Sequence, residues 1–248
     1  MNQLGMNQMA PLFSIVTVTF NSIEHLPALY ASLCAQQCQD FEWVVVDGAS
    51  TDATAAFLAQ AVGLRLRYVS EPDAGIYDAM NKATRMCRGK FILFLGADDV
   101  LADDAVLADV AGQADSEVDL LLGTALDGRG QPFASTLGLK TYLMNTVHHQ
   151  SAFYRRTLFD SFAYDHRSRV VADYELNVCL QKNGHRYRQL SRLIALCGRD
   201  GISNSTSEYR LYRDMHHLRR RHIPGCLSWL AMLAGSANVW RRSLRHDR

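Results

Sequence analysis

Two adjacent carboxylates, Asp98 and Asp99, follow the apolar run Phe91-Ile92-Leu93-Phe94-Leu95 after only Gly96 and Ala97. Like charges at the end of a buried strand repel each other unless a cation or strong hydrogen-bond donors neutralise them. A hard divalent ion, Mg2+ or Mn2+, takes such oxygen ligands and completes its shell with substrate phosphates. The same pair also suits the N-cap of a helix starting near residue 102.

Other polar residues collect at comparable places. Thr19 and Asn21 follow the β-branched run 13–19, and Glu71 and Asp73 follow a third apolar run. In Asp47-Gly48-Ala49-Ser50-Thr51-Asp52 the aspartate can accept from a base or ribose, with Gly48 allowing close backbone approach and Ser50 or Thr51 capping the next helix. Asp78, Asn81 and Lys82 fall at i, i+3 and i+4, placing an acceptor, an amide and a cation on one helix face, either for substrate or as a solvated ion pair. Asp173 opens a helix after a loop holding Arg167 and Arg169, as a general base or as a first-turn complement to the helix dipole. His148-His149-Gln150 suits phosphate or acceptor hydroxyls, a polar turn, or packing against a core.

Converging these groups requires a sheet. Runs at 13–19, 41–46, 64–69, 91–95 and 118–122 read as buried parallel strands, with helical periodicity near 22–37, 51–62, 75–88 and 102–114. Right-handed crossovers turn this alternation into an α/β, doubly wound, mostly parallel sheet with helices on both faces, which binds ligands beyond the carboxyl ends of its strands. After residue 123, Asp127-Gly128 and Arg129-Gly130 mark a hairpin turn; a helix is expected over 172–182, one or two short strands over 186–197, and a charged amphipathic helix over 205–221. The division is a catalytic domain over 1–198, with a nucleotide half about 11–122 and an acceptor half about 123–198, and a basic helical tail over 199–248.

The formal net charge of +1 conceals an asymmetry: residues 1–198 carry 16 Lys/Arg against 21 Asp/Glu, whereas 199–248 carry 10 against 4. This argues against a general nucleic-acid binder and for a tail that meets an anionic surface. Six cysteines without a CxxC pair suit a reducing compartment, and the first ten residues lack the pattern of a secretory signal, so a cytoplasmic location is expected. The apolar stretch 223–240, broken by Gly, Ser and Asn and flanked by arginines, suits an interfacial helix better than a span, giving peripheral contact with the inner leaflet through 219–245 or packing on protein.

Four ordered motifs, Val16-Thr17-Val18-Thr19-Phe20-Asn21, Val45-Val46-Asp47-Gly48-Ala49-Ser50-Thr51-Asp52, Ser70-Glu71-Pro72-Asp73 with 75–82, and Phe94-Leu95-Gly96-Ala97-Asp98-Asp99, resemble the glycosyltransferases of family 2, with the GT-A fold. The likeness covers 13 to about 182 and is nearest to bacterial enzymes of capsule, O-antigen or exopolysaccharide assembly. It implies that Thr19, Asn21, Asp47, Ser50, Asp78, Lys82 and Asp98 line the nucleotide pocket. It also implies that Asp98 and Asp99 form the DxD-type metal motif for Mn2+ or Mg2+, and that Asp173 is the catalytic carboxylate. Gly96 stands where many members have Asp, which leaves the metal to Asp98 and Asp99. His149 and Gln150 match a His-Gln before the base, and Arg199 is a further candidate for neutralising phosphate.

The implied reaction is inverting transfer from a nucleoside-diphosphate sugar, UDP by family habit, to a hydroxyl of a glycan or lipid-linked acceptor in cell-surface polysaccharide synthesis. A homo-oligomer is compatible with it. A metal-dependent sugar nucleotidyltransferase would show a Gly-rich, basic loop after the first strand, and Asn21-Ser22-Ile23-Glu24-His25 is not one. A non-catalytic nucleotide-binding protein is the other alternative.

Overall fold

A computed structural model describes residues 10–165, 171–199, 214, 215, 217, 218 and 220–223. The continuous β-branched and aromatic runs form the centre of the sheet. Strand β1 (Phe13–Thr19) pairs in parallel with β2 (Phe41–Asp47) from Phe13↔Phe41 to Thr19↔Asp47. β3 (Leu66–Ser70) adds in parallel beyond β2, and β4 (Phe91–Phe94) on the other side of β1. Because these strands run the same way in matched register, Thr19, Asp47 and Ser70 end side by side.

Alternate residues of these strands face opposite layers, as a sheet covered on both sides requires. Phe13, Ile15, Trp43, Val45 and Leu93 pack with Leu26, Leu29 and Leu33 of α1 (Leu26–Cys34) and Val106, Leu107 and Val110 of α4 (Val106–Ala111). Val16, Val44, Val46, Ile92 and Phe94 pack with Tyr77, Met80 and Ala83 of α3 (Ile76–Met86) and Leu176 and Leu180 of α5 (Ala172–Lys182). Helix α2 (Thr54–Gln60) buries Leu58 in the first layer.

The second half departs from simple alternation. The expected fifth strand runs from Leu120 to Leu126 as β6. It does not neighbour β4: the short β8 (Ala152–Arg155) lies between them, antiparallel to both. β7 (Pro132–Ala134) completes the hairpin with β6. β9 (Tyr187–Leu196) runs parallel to β6 as one long strand, and β5 (Val100–Leu101) pairs antiparallel with its end, giving the order β3-β2-β1-β4-β8-β6-β9-β5 with β7 on β6. The helix expected over 102–114 is confined to α4, Val106–Ala111, after β5 and a turn at 102–105.

Of the expected 205–221 helix and the 223–240 stretch, only residues 214, 215, 217, 218 and 220–223 are described. Leu218 and Ile223 pack against Val171, Tyr174 and Val178 of the α5 region. Among the described residues, no helix is long and apolar enough to cross a membrane.

Candidate active site

The carboxyl ends of β1, β2 and β3 build one wall. Asp47 accepts from the Ser50 backbone N–H at 3.0 Å, from the Ser50 hydroxyl, and from Ser70 Oγ at 2.6 Å. Asn21 Oδ1 accepts from Thr51 N–H at 2.8 Å, and the Asn21 N–H donates to Ser50 Oγ at 2.7 Å. Asn21 and Ala49 are the two non-glycine residues with positive φ, +50° and +62°, among those described. Such conformations persist where surrounding bonds over-determine them and cluster at ligand-binding turns. Thr19 Oγ1 is buried at the end of β1 and has no hydrogen-bond partner among the described residues.

The 71–78 loop closes on this wall. A Cβ on Gly48 would stand 2.8 Å from Asp73 Oδ2, so a larger residue there would push the Asp73 carboxylate aside. Asp73 in turn accepts from Gly75 N–H at 2.8 Å. Lys82 meets Glu71 at 2.9 Å, Asp78 at 3.5 Å and the Pro72 carbonyl at 2.9 Å, so the ion pair ties helix α3 to this loop. Asn81 grips the backbone of Tyr164 in both directions, at 2.8 and 2.9 Å.

The acidic pair sits where β5 meets β9. Asp99 is buried; its Oδ2 accepts from Gly96 N–H at 2.6 Å and its Oδ1 from Gly198 N–H at 3.0 Å, with the Gln150 side chain nearby. Burial raises its carboxyl, the two backbone amides oppose that, and the charge of Asp98 adds to it. Asp98 packs on Gly198, where a Cβ would lie 2.0 Å from Asp98 Oδ2. Both oxygens of Asp99 are thus taken up by backbone amides, and Asp98 has contacts of its own. Among the described residues no three His, Cys, Asp or Glu side chains gather as a complete metal site. That donor set fits an ion whose shell is finished by phosphate and water, as Mg2+ and Mn2+ accept, and not a protein-enclosed metal.

Asp173, in the first turn of α5, receives Tyr77 Oη on Oδ1 and Asn145 Nδ2 on Oδ2, both at 3.3 Å. Burial raises its carboxyl above the ordinary aspartate value, opposed by the Tyr174 backbone N–H, the Tyr77 hydroxyl and His148. Tyr77 stacks on Tyr164 with ring centroids 5.5 Å apart, which fixes its hydroxyl.

His149 and its neighbours divide. The His149 ring stacks on Phe94 at 4.8 Å and meets Tyr164 Oη at 3.4 Å, and burial drops its pKa to about 3, so it packs as a neutral ring. Gln150 stands near both Asp99 and His148, between the acidic pair and the surroundings of Asp173. Arg199 Nε donates to the Gly128 carbonyl at 2.9 Å, on the hairpin turn. Tyr77, Asn145 and Gly198 had not been singled out; only Tyr77 carried a signal, its place inside the third motif.

The family model for glycosyl transferase family 2 matches residues 14–170. A glycosyltransferase of PGL/p-HBAD biosynthesis from Mycobacterium tuberculosis is 39% identical over 178 residues, covering 68% of this chain and 69% of the relative. An uncharacterised glycosyltransferase of the same species is 31% identical over 180 residues, 67% of each. Among solved structures, S. aureus TarS 1–349 in complex with UDP-GlcNAc superposes with a TM-score of 0.67 at 24% identity, over 83% of this chain and 65% of that one. Another S. aureus TarS structure is spanned over only 38% of its chain. A Pyrobaculum calidifontis mannosyltransferase in complex with GDP-Man and Mn2+ superposes with a TM-score of 0.62 at 16% identity, over 93% and 76%. The chain belongs to glycosyl transferase family 2, with the GT-A fold, and is a glycosyltransferase.

Proposed function

We propose that the chain is an inverting, divalent-metal-dependent enzyme. It transfers a sugar from a nucleoside diphosphate, UDP first, to a hydroxyl of a glycan or lipid-linked acceptor in cell-surface polysaccharide synthesis. The carrying observation is Asp173: a single carboxylate, sheltered and raised by burial, held on both oxygens by neutral donors from α3 and from Asn145. A raised carboxyl is a stronger base than an ordinary aspartate, and one base without a second nucleophilic carboxylate suits direct displacement.

The roles follow from position. Thr19, Asn21, Asp47, Ser50 and Asp73 face the nucleotide at the strand ends, while Lys82 and Asp78 keep the 71–78 loop closed over it. Asp98 would hold Mn2+ or Mg2+, with Asp99 fixing the loop and ligating less directly; the ion, when bound, offsets the charge of the leaving diphosphate. Asp173 takes the proton of the acceptor hydroxyl as its oxygen attacks the anomeric carbon opposite the diphosphate. Gln150 and His148 lie between the two centres, and Arg199 stands beside the hairpin as a further cation for phosphate. The basic residues within 219–245 would bring the enzyme to the cytoplasmic face of a membrane; apart from 220–223 they lie outside the described residues.

The related TarS binds UDP-GlcNAc, which makes it the first donor to try. With Mn2+ and water as acceptor, proton NMR of the freed sugar should show the β anomer first, because the donor linkage is α. An initial α anomer contradicts inversion.

A further inference from the structure

Two fully buried polar side chains have no part in the account so far: Asn177, on α5, and the phenol of Tyr154, in β8. Tyr154 pairs with Leu120 in the sheet and its ring meets those of Phe94, Phe159 and His149 within a buried, mostly apolar cluster, surroundings in which a polar group needs a partner. The two are linked to Asp173 by one line of hydrogen bonds. Tyr154 Oη donates to Asn177 Oδ1 at 3.1 Å, Asn177 Nδ2 donates to Asn145 Oδ1 at 3.3 Å, and Asn145 Nδ2 donates to Asp173 Oδ2 at 3.3 Å. Val147 N–H also donates to Asn145 Oδ1, at 3.3 Å, which fixes which way that amide faces.

We propose that Tyr154, Asn177 and Asn145 are positioning residues that hold Asp173 ionised and oriented for proton abstraction, an inference that rests on Asp173 being the base. Every donor in the line points toward the carboxylate. A carboxylate only accepts, so ionised Asp173 requires the Asn145 amine; Asn145 then turns its oxygen to Asn177, and Asn177 turns its oxygen to the Tyr154 hydroxyl. Protonation at Oδ2 reverses the order. Both amides would have to turn, Val147 N–H would lose its acceptor, and the Tyr154 hydroxyl would lose the Asn177 oxygen, its hydrogen-bond acceptor among the described residues. The buried phenol therefore biases the line toward the charged base, and networks of this kind polarise along their length.

The other groups around Asp173 are placed by their own elements. Tyr77 comes from α3, His148 from the segment before β8, and Tyr164 from the loop ahead of α5. Glu175, two residues along α5, points away to His222 and Arg221.

The test follows the Asp173 carboxyl by carbon-13 NMR in the full-length chain, with the signal assigned by its loss in Asp173→Asn. Tyr154→Phe removes one hydroxyl, and Asn145→Ala removes the last donor at a half-buried position if the core variant fails to fold. Each should raise the Asp173 midpoint by about half a pH unit or more, because a lost donor disfavours the charged form. The acid limb of UDP release from UDP-GlcNAc with Mn2+ should move up the pH scale with it. An unmoved or lowered midpoint overturns the proposal, as does a uniform fall in turnover with an unmoved acid limb. If Asp173→Asn itself releases UDP at the wild-type rate, the base assignment fails separately, and the midpoint still reports on the line of donors.

Discussion

At the scale of single residues, burial separates the groups that can titrate usefully from those that cannot. His149 illustrates the second kind. Its ring takes a proton near 6.5 when unfolded but only near 3 when packed on Phe94, so the unfolded chain binds more protons between those values. Stability from this residue is therefore complete above pH 6.5 and drains as pH falls toward 3, by about 2 kcal/mol between pH 7 and 5. The raised carboxyls of Asp99 and Asp173 act with the opposite sign, binding protons more tightly when folded, and they lose stability as pH rises through their raised values. Urea unfolding at pH 7 and pH 5 should show a loss in wild type that His149→Phe flattens; an equal loss in both would remove His149 as its source.

Gly198 is the other decisive residue. Its N–H holds Asp99, and the space above its Cα is filled by Asp98 from Cβ to carboxylate. Gly198→Ala must push Asp98 aside, at about 1–3 kcal/mol of strain. It should weaken Mn2+-dependent UDP binding more than metal-free binding; calorimetry showing equal effects would detach Asp98 from the ion.

At the scale of elements, α5 carries Asp173 on one side and is grasped from behind. His222 Nε2 lies 2.6 Å from Glu175 Oε1, Arg221 lies 3.6 Å from the same oxygen, and Leu218 and Ile223 cover Val171, Tyr174 and Val178. Residues 218 and 221–223 thus pack on the domain, while the apolar stretch beyond 223 lies outside the described residues. Leu218→Ala should cost about 2 kcal/mol in thermal or urea unfolding and slow turnover through α5, whereas an unchanged melting temperature would leave the tail without this role.

The parallel half of the sheet was legible because β1, β2 and β4 are unbroken buried runs, each followed by helical periodicity. β8 was not: four residues without alternation carry no periodic signal, and their place between β4 and β6 is decided by pairing with both. β5 has two residues and exists only through β9. The strand-end acids were readable as a class, since a sheet of this kind exposes polar groups there. Gly198 under Asp98, and Asn177 behind Asp173, were not, because each contact joins positions far apart in sequence and depends on which faces meet.

At the scale of the whole molecule, the charge asymmetry and the topology serve one arrangement. Residues 1–198 hold 21 acids against 16 bases, yet Asp47, Asp73, Asp98, Asp99 and Asp173 all lie at or near one end of the sheet, where an uncompensated anion would be repelled. Backbone amides and hydroxyls satisfy Asp47 and Asp99, and under the proposed function a divalent ion would match the charge of a bound diphosphate. The most direct measurement is made on Asp173→Asn: UDP affinity with Mn2+ by calorimetry beside the rate of UDP release from UDP-GlcNAc. The account expects binding within about threefold of wild type and a rate lower by roughly 10²–10⁴-fold. Wild-type turnover in that variant, or no UDP binding by the unaltered chain, would contradict it.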